Sequence, residues 1–198
     1  MTKIKICGLQ TLADVKKCNA IEPDLVGFVF AKSPRQLNFR MAQALRNQLK
    51  SEIISVGVFV NTPIGKIQSL VQADIISQVQ YYGKLTNEKI NDLHQFDARV
   101  IQVVSNESEI KQAADAVMFD KSRGRGLIPD HFNVPQTTKS TYLSGGITTK
   151  NVVKAIQETH PDVVDVSSGS ETNGEKDFTK MQRLTNLVHK FKEKNNEY

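Results

Sequence analysis

Ile54-Ser55-Val56-Gly57-Val58-Phe59-Val60, followed at once by Asn61-Thr62-Pro63, carries the plainest signal of how this chain folds. Its apolar residues run on almost without a break instead of alternating with polar ones. That is the pattern of a strand covered on both faces, and such strands belong to parallel sheets. Thr62-Pro63 then caps and starts a helix, with Ile64, Ile67 and Val71 along its inner face.

The same strand-then-helix unit recurs in both directions. Upstream lie the β-rich runs Lys3–Cys7 and Leu25–Phe30; downstream lie Ile76–Tyr81, Arg99–Val104, Ala116–Asp120, Thr141–Ser144 and Val163–Ser167. Helical patterns separate them. Thr86 caps one that turns Ile90 and Leu93 inward, Val152, Val153 and Ile156 mark another, and Phe178, Met181, Leu184, Leu187, Val188 and Phe191 form a long apolar stripe on the last. Leu12–Ala20, Met41–Leu49 and Glu107–Ala114 also read as helices. Eight strands alternating with helices leave an open doubly wound sheet or a closed ring. The count of eight, with no extra edge elements, predicts an α/β fold: a single (β/α)8 TIM barrel with eight parallel strands, formed by residues 1–198 as one domain. Lys121–Lys139 carries Gly, Pro and charge but no helical stripe, and is expected to be a long active-site loop.

Composition narrows the function classes. The 198 residues suit one domain, and 39% apolar with 24% charged residues is ordinary for a globular chain. Only the tail Lys192–Tyr198 reads as disordered. The net charge is +5, but Lys and Arg are scattered without interleaved aromatics, so no nucleic-acid partner is expected. Two cysteines, Cys7 and Cys18, are too few for a disulfide framework. The start Met-Thr-Lys-Ile-Lys-Ile runs straight into a strand, with no secretory leader. No apolar run approaches the roughly 20 residues that span a bilayer. A cytoplasmic location without a membrane partner is expected, as a monomer or homodimer.

Catalytic groups of such barrels lie at the C-terminal ends of the strands and in the loops that follow. Strands seven and eight end in Leu143-Ser144-Gly145-Gly146 and Val166-Ser167-Ser168-Gly169. Loops after these two strands are the usual phosphate cradle of the fold. Glycines let backbone N–H groups approach an anion, and the helix after Gly145-Gly146 would add its N-terminus. Gly145, Gly146, Ser167, Ser168 and Gly169 are therefore candidate phosphate-binding residues, although Gly145-Gly146 also suits a plain tight turn. Cys7 and Asp120 end strands one and six, three steps apart around the ring, and face each other across the mouth as candidate base and acid. An ordinary thiol is only roughly 3% ionised at pH 7. A carboxyl serves as an acid only where desolvation or a nearby anion favours its neutral form. The plainer readings are a buried structural Cys and a loop-capping Asp; Cys18, on a helix, reads as a small packing residue. Arg35, in the loop after strand two, offers a planar fork for a carboxylate or phosphate, or else forms a surface ion pair.

Together the strand ends resemble the phosphoribosylanthranilate isomerase family of tryptophan biosynthesis. The resemblance is carried, in order and end to end, by Lys5-Ile6-Cys7-Gly8, Gly27-Phe28-Val29-Phe30 with Ser33-Pro34-Arg35, Val56 to Asn61, Leu143-Ser144-Gly145-Gly146-Ile147, and Asp165-Val166-Ser167-Ser168-Gly169 leading to Lys176-Asp177. It implies a cofactor-free Amadori rearrangement of a small phosphorylated substrate. Asp120 would be the general acid, Cys7 the general base, and Arg35 the grip on the anthranilate carboxylate. Neither metal nor cofactor is implied, because the substrate's own iminium takes up the electrons. His94, His131, His160 and His189 are scattered like surface residues.

Two places depart from the family pattern. The usual Gln-Leu-His-Gly after strand four is Gln80-Tyr81-Tyr82-Gly83, where Tyr82 would line the site. The usual Gly-Gly-Thr/Ser-Gly after the strand-six Asp is Arg123-Gly124-Arg125-Gly126. The related sugar isomerase of histidine biosynthesis places Asp residues at the end of strand one and after strand five, where this chain has Cys7 and Ser105. A carbon–carbon lyase such as indole-glycerol-phosphate synthase wants a Lys inside the barrel, and no strand supplies a clear one. A non-catalytic barrel that only binds a phosphorylated metabolite or a partner protein is the remaining alternative, and binding without turnover would reveal it.

Overall fold

A computed structural model describes residues 2–120, 134 and 137–194 (of 192–194 the backbone alone). Eight strands form the barrel: β1 Lys3–Cys7, β2 Leu25–Val29, β3 Ile54–Val60, β4 Gln78–Tyr82, β5 Arg99–Val104, β6 Ala116–Phe119, β7 Ser140–Leu143 and β8 Val163–Val166. Each pairs in parallel with the next, and β8 returns to β1 in the register Lys3↔Val163 to Ile6↔Val166, so the sheet closes. The expected eight-stranded parallel barrel is what the chain forms.

The near-continuous apolar runs split into two faces once the ring is closed. Ile4, Ile6, Val26, Phe28, Val79, Tyr81, Val164 and Val166 point outward into one core. There they meet Val15 and Cys18 of α1 (Leu12–Ile21) and Leu45 of α2 (Phe39–Arg46). Farther round they meet Ile67 of α3 (Ile64–Gln72), Leu93 of α4 (Asn87–His94), Ile156 of α5 (Val152–Thr159) and Leu184 of α6 (Phe178–Lys194). Leu25, Val56, Ile101, Ala116, Met118, Tyr142 and Val163 fill the inside of the barrel. Fully burying such a side chain contributes about 1.5–3 kcal/mol, which makes this double core the main stabilising element. Cys18 is a packing residue of the outer core.

Above the inner apolar plug the barrel is polar. Lys5, fully buried, donates to Gln80 Oε1 at 2.8 Å and to Asp165 Oδ1 at 2.9 Å. The sequence reading found no clear lysine inside the barrel; Lys5 is one. It lies two residues before Cys7, so the strand's period of two puts both on the inner face. Burial pulls its pKa down, but the carboxylate of Asp165 and the neighbouring Cys7 outweigh burial and raise it to about 12, so Lys5 stays a cation.

Several expected elements differ. Glu107–Ala114 is not a helix: only a short turn at Glu107–Glu109 forms. The Gln102 amide pins this segment, donating to Glu109 O at 2.8 Å and accepting from Lys111 N at 2.8 Å, and these bonds replace helical ones. Thr62 does not cap α3; its hydroxyl turns back to Val60 O, and Pro63 takes the cap position without a side-chain bond. The helix expected at Met41–Leu49 begins earlier, at Phe39, where the Asn38 side chain accepts from Met41 N. Helix α6 continues through Lys194, past the start of the expected disordered tail. Most of the Lys121–Lys139 loop, Arg123–Gly126 with it, lies outside the described residues, as do His131 and residues 195–198. Among the described residues no helix is long and apolar enough to cross a membrane.

Candidate active site

Cys7, Arg35, Asp120, Gly145, Gly146, Ser167, Ser168 and Gly169 all line one cavity of about 490 Å³ at the C-terminal mouth of the barrel. Gln80, Tyr82 and Asp165 line it with them. A volume of this size suits a small-molecule ligand. The sequence singled out the first eight as separate strand ends, and the closed ring gathers them.

Cys7 and Asp120 stand on β1 and just after β6, with β8 and β7 between them. Both are buried. Burial pushes the Cys7 thiol above its ordinary range, and the pull of the Lys5 ammonium in the opposite direction does not overcome it. Asp120 accepts a hydrogen bond at Oδ2 from the Tyr82 hydroxyl at 3.1 Å. Of the two strand-four tyrosines only Tyr82 faces the cavity. Tyr81 points into the outer core and donates to Thr62 O at 3.2 Å.

Arg35 is both at the mouth and in an ion pair. Its Nε and Nη2 reach Glu171 Oε1 at 2.8 Å and Oε2 at 2.6 Å, a bidentate grip. Gly8, at φ +86, makes this possible: a Cβ there would meet Arg35 Cδ at 2.4 Å, so only glycine lets the arginine lie across the end of β1. Glu171 begins β9 (Glu171–Thr172), which pairs with β10 (Glu175–Lys176). Buried Lys176 also donates to Glu171 Oε1, at 2.7 Å, and to Ser170 Oγ and Ser167 O, both at 3.2 Å. Burial works against the Glu171 carboxylate, yet the donors of Arg35 and Lys176 hold its pKa below the ordinary value. One buried carboxylate thus ties the Arg35 loop to the loop after β8. Nothing local in the sequence marks Glu171, although Lys176-Asp177 stands in the motif beside it.

The loops after β7 and β8 meet at this point. Gly145 and Gly146 have φ values of 104° and 64°, which turns the chain sharply and which side-chain-bearing residues rarely adopt. Helix α5 starts only at Val152, beyond a turn in which Asn151 accepts from Thr148 N and donates to Gly146 O. The expected helix N-terminus is therefore set back, and loop backbone takes its place beside the cavity. After β8 a short 3-10 turn, Ser168–Ser170, lies against the β7 loop, where a Cβ on Gly169 would run into Ile147 O. Exposed glycine-rich backbone of this kind forms anion-binding concavities.

Among the described residues no group of three or more His, Cys, Asp or Glu side chains is arranged to hold a metal ion. His94 pairs with Asp115 at 2.8 Å and His189 with Asp24 at 3.0 Å, both away from the cavity.

The family model of N-(5'-phosphoribosyl)anthranilate (PRA) isomerase matches residues 4–187. N-(5'-phosphoribosyl)anthranilate isomerase of Lacticaseibacillus casei is 39% identical over 194 residues, covering 98% of this chain and 96% of that protein. A dimeric phosphoribosylanthranilate isomerase from Thermotoga maritima, solved as monomers generated from it, superposes with a TM-score of 0.77 at 28% identity, over 96% of this chain and 100% of that one. A phosphoribosyl anthranilate isomerase solved in complex with reduced 1-(o-carboxyphenylamino)-1-deoxyribulose 5-phosphate superposes with a TM-score of 0.78, also at 28% identity and with coverage of 96% and 100%. Because the matched residues 4–187 take in every barrel strand save Lys3, the first residue of β1, and every residue named at the cavity, the chain belongs to the phosphoribosylanthranilate isomerase family.

Proposed function

We propose that this chain, acting as a single barrel domain over residues 1–198, isomerises N-(5-phosphoribosyl)anthranilate to 1-(2-carboxyphenylamino)-1-deoxyribulose 5-phosphate in tryptophan biosynthesis. The observation that carries the reading is the shared cavity: a thiol and a carboxyl from strands three steps apart open into one space with a guanidinium and two glycine-containing loops. The complex solved for the related isomerase, whose ligand is a reduced form of this product, supports the same pocket class.

In this reading the loops at Gly145-Gly146 and Ser167-Ser168-Gly169 hold the phosphate through backbone N–H groups and hydroxyls. Arg35, braced by Glu171, grips the anthranilate carboxylate. Asp120 gives its proton to the ring oxygen as the C1–O bond breaks, and the amine lone pair forms the C1=N iminium. Cys7 takes the proton from C2. The freed electron pair makes the C1=C2 enolamine and neutralises the iminium nitrogen. Protonation at C1 and loss of the C2 hydroxyl proton leave the ketone. The iminium is the electron sink, so the chemistry calls for no metal or cofactor. Cys7 works as a base only after ionising, and Lys5 is the cation placed to favour that state. A cytoplasmic location fits two unpaired, buried thiols, and a monomer or homodimer fits a family with a dimeric member.

The test is direct. Purified protein is mixed with N-(5-phosphoribosyl)anthranilate and the loss of its fluorescence is followed. Turnover supports the assignment. Saturable binding of the reduced product analogue with no turnover would make this a binding barrel instead.

A further inference from the structure

The strand-four departure has a structural counterpart. Tyr82 stands at the third position of Gln80-Tyr81-Tyr82-Gly83, and its hydroxyl lies between two partners, Gln80 Nε2 at 3.3 Å and Asp120 Oδ2 at 3.1 Å. The direction of these bonds is fixed from the barrel interior outward. Lys5 carries donors only, so the Gln80 atom it touches at 2.8 Å is the carbonyl oxygen. Gln80 is itself buried, and its other end is therefore the amide nitrogen, which donates to the Tyr82 oxygen and, at 3.1 Å, to Met118 Sδ. With its oxygen accepting from Gln80, Tyr82 has its one proton left for Asp120. The phenol stays protonated, because burial first and the nearby Asp120 next push its pKa well above the ordinary value.

We infer that Tyr82 is a positioning residue for the isomerisation, holding Asp120 by a hydrogen bond whose direction Lys5 and Gln80 dictate, and stabilising the carboxylate that Asp120 becomes when it protonates the ring oxygen. The inference rests on the acid role proposed for Asp120. Its consequence is kinetic. A hydroxyl donates weakly to a neutral carboxyl and more strongly to a carboxylate. The Tyr82 bond therefore tightens as negative charge develops on a residue only 2% exposed. Interactions that strengthen towards the transition state raise kcat rather than lower KM.

Tyr82→Phe keeps the ring and removes the hydroxyl. With thermal unfolding as a check on folding, the expected result is a fall in kcat of about ten- to a hundredfold, the range for a hydrogen bond to a charged group, with KM changed less than about threefold. Tyr82→His, which restores an N–H donor at this position, is expected to recover most of that loss. In an Asp120→Asn background Tyr82→Phe is expected to add little. A Tyr82→Phe enzyme with kcat within about twofold of the wild type would overturn the proposal. So would a loss confined to KM, or an equal loss in both backgrounds. Asp120→Asn alone reports on the acid assignment, so a failure of that reading is seen separately.

Discussion

The Cys7 thiol is the residue whose state depends most on its surroundings. It sits on the inner face of β1, buried, two residues above a permanent cation. Burial wins, so its pKa is raised. The sign follows: the group is neutral at and below the usual thiol range, near 8.5, and ionises only at higher pH. The thiolate ultraviolet absorbance, wild type minus Cys7→Ser, should therefore appear above that range; a signal already complete at neutral pH would contradict the buried, protonated thiol. Glu171 carries a second expectation at this scale. Glu171→Gln cannot accept from both edges of the Arg35 fork and from Lys176, so Arg35 loses its brace. KM should rise about tenfold, the worth of a charge-assisted bond, with kcat within about threefold. An unchanged KM would mean that Arg35 holds its place without Glu171. Cys7 and Asp120 were legible because they stand at strand ends, and Arg35 because it lies in a loop at the same mouth of the ring. Lys5, Gln80 and Glu171 were not, because Lys5 and Gln80 meet across the barrel and Glu171 meets Arg35 from the loop after β2, contacts that only the closed ring supplies.

Elements were legible where their signals were local. Thr11 and Thr86 both accept from the third residue of the helix that follows. Thr11 also completes a reciprocal box, since Asp14 Oδ2 accepts from Thr11 N at 3.0 Å. Thr11→Ala should cost about 1 kcal/mol in urea unfolding. Thr62→Ala should cost clearly less, because that hydroxyl faces Val60 O rather than a helix N–H. Equal losses would mean that cap geometry does not govern these termini. The segment Glu107–Ala114 failed as a helix because Gln102, a β5 residue, takes its backbone bonds. A single-segment reading sees helix-forming residues there and cannot see the strand that competes for them.

At the scale of the molecule, the alternation of eight apolar runs with helices was enough to give the closed barrel. The inner polar layer was hidden by it. A lysine within Lys3–Cys7 reads as the polar edge of a strand, and only closure makes it the buried centre of a network with Gln80 and Asp165. Closure also brings Cys7 and Asp120, far apart in the chain, to one cavity. The proposed chemistry depends on that meeting. Its most direct measurement is the rate of N-(5-phosphoribosyl)anthranilate turnover by Cys7→Ser and by Asp120→Asn, each shown to be folded. Each kcat should fall by about 10²–10⁴, the usual contribution of a general acid or base. If either variant turns over within about tenfold of the wild type, that residue is not the acid or base of this barrel.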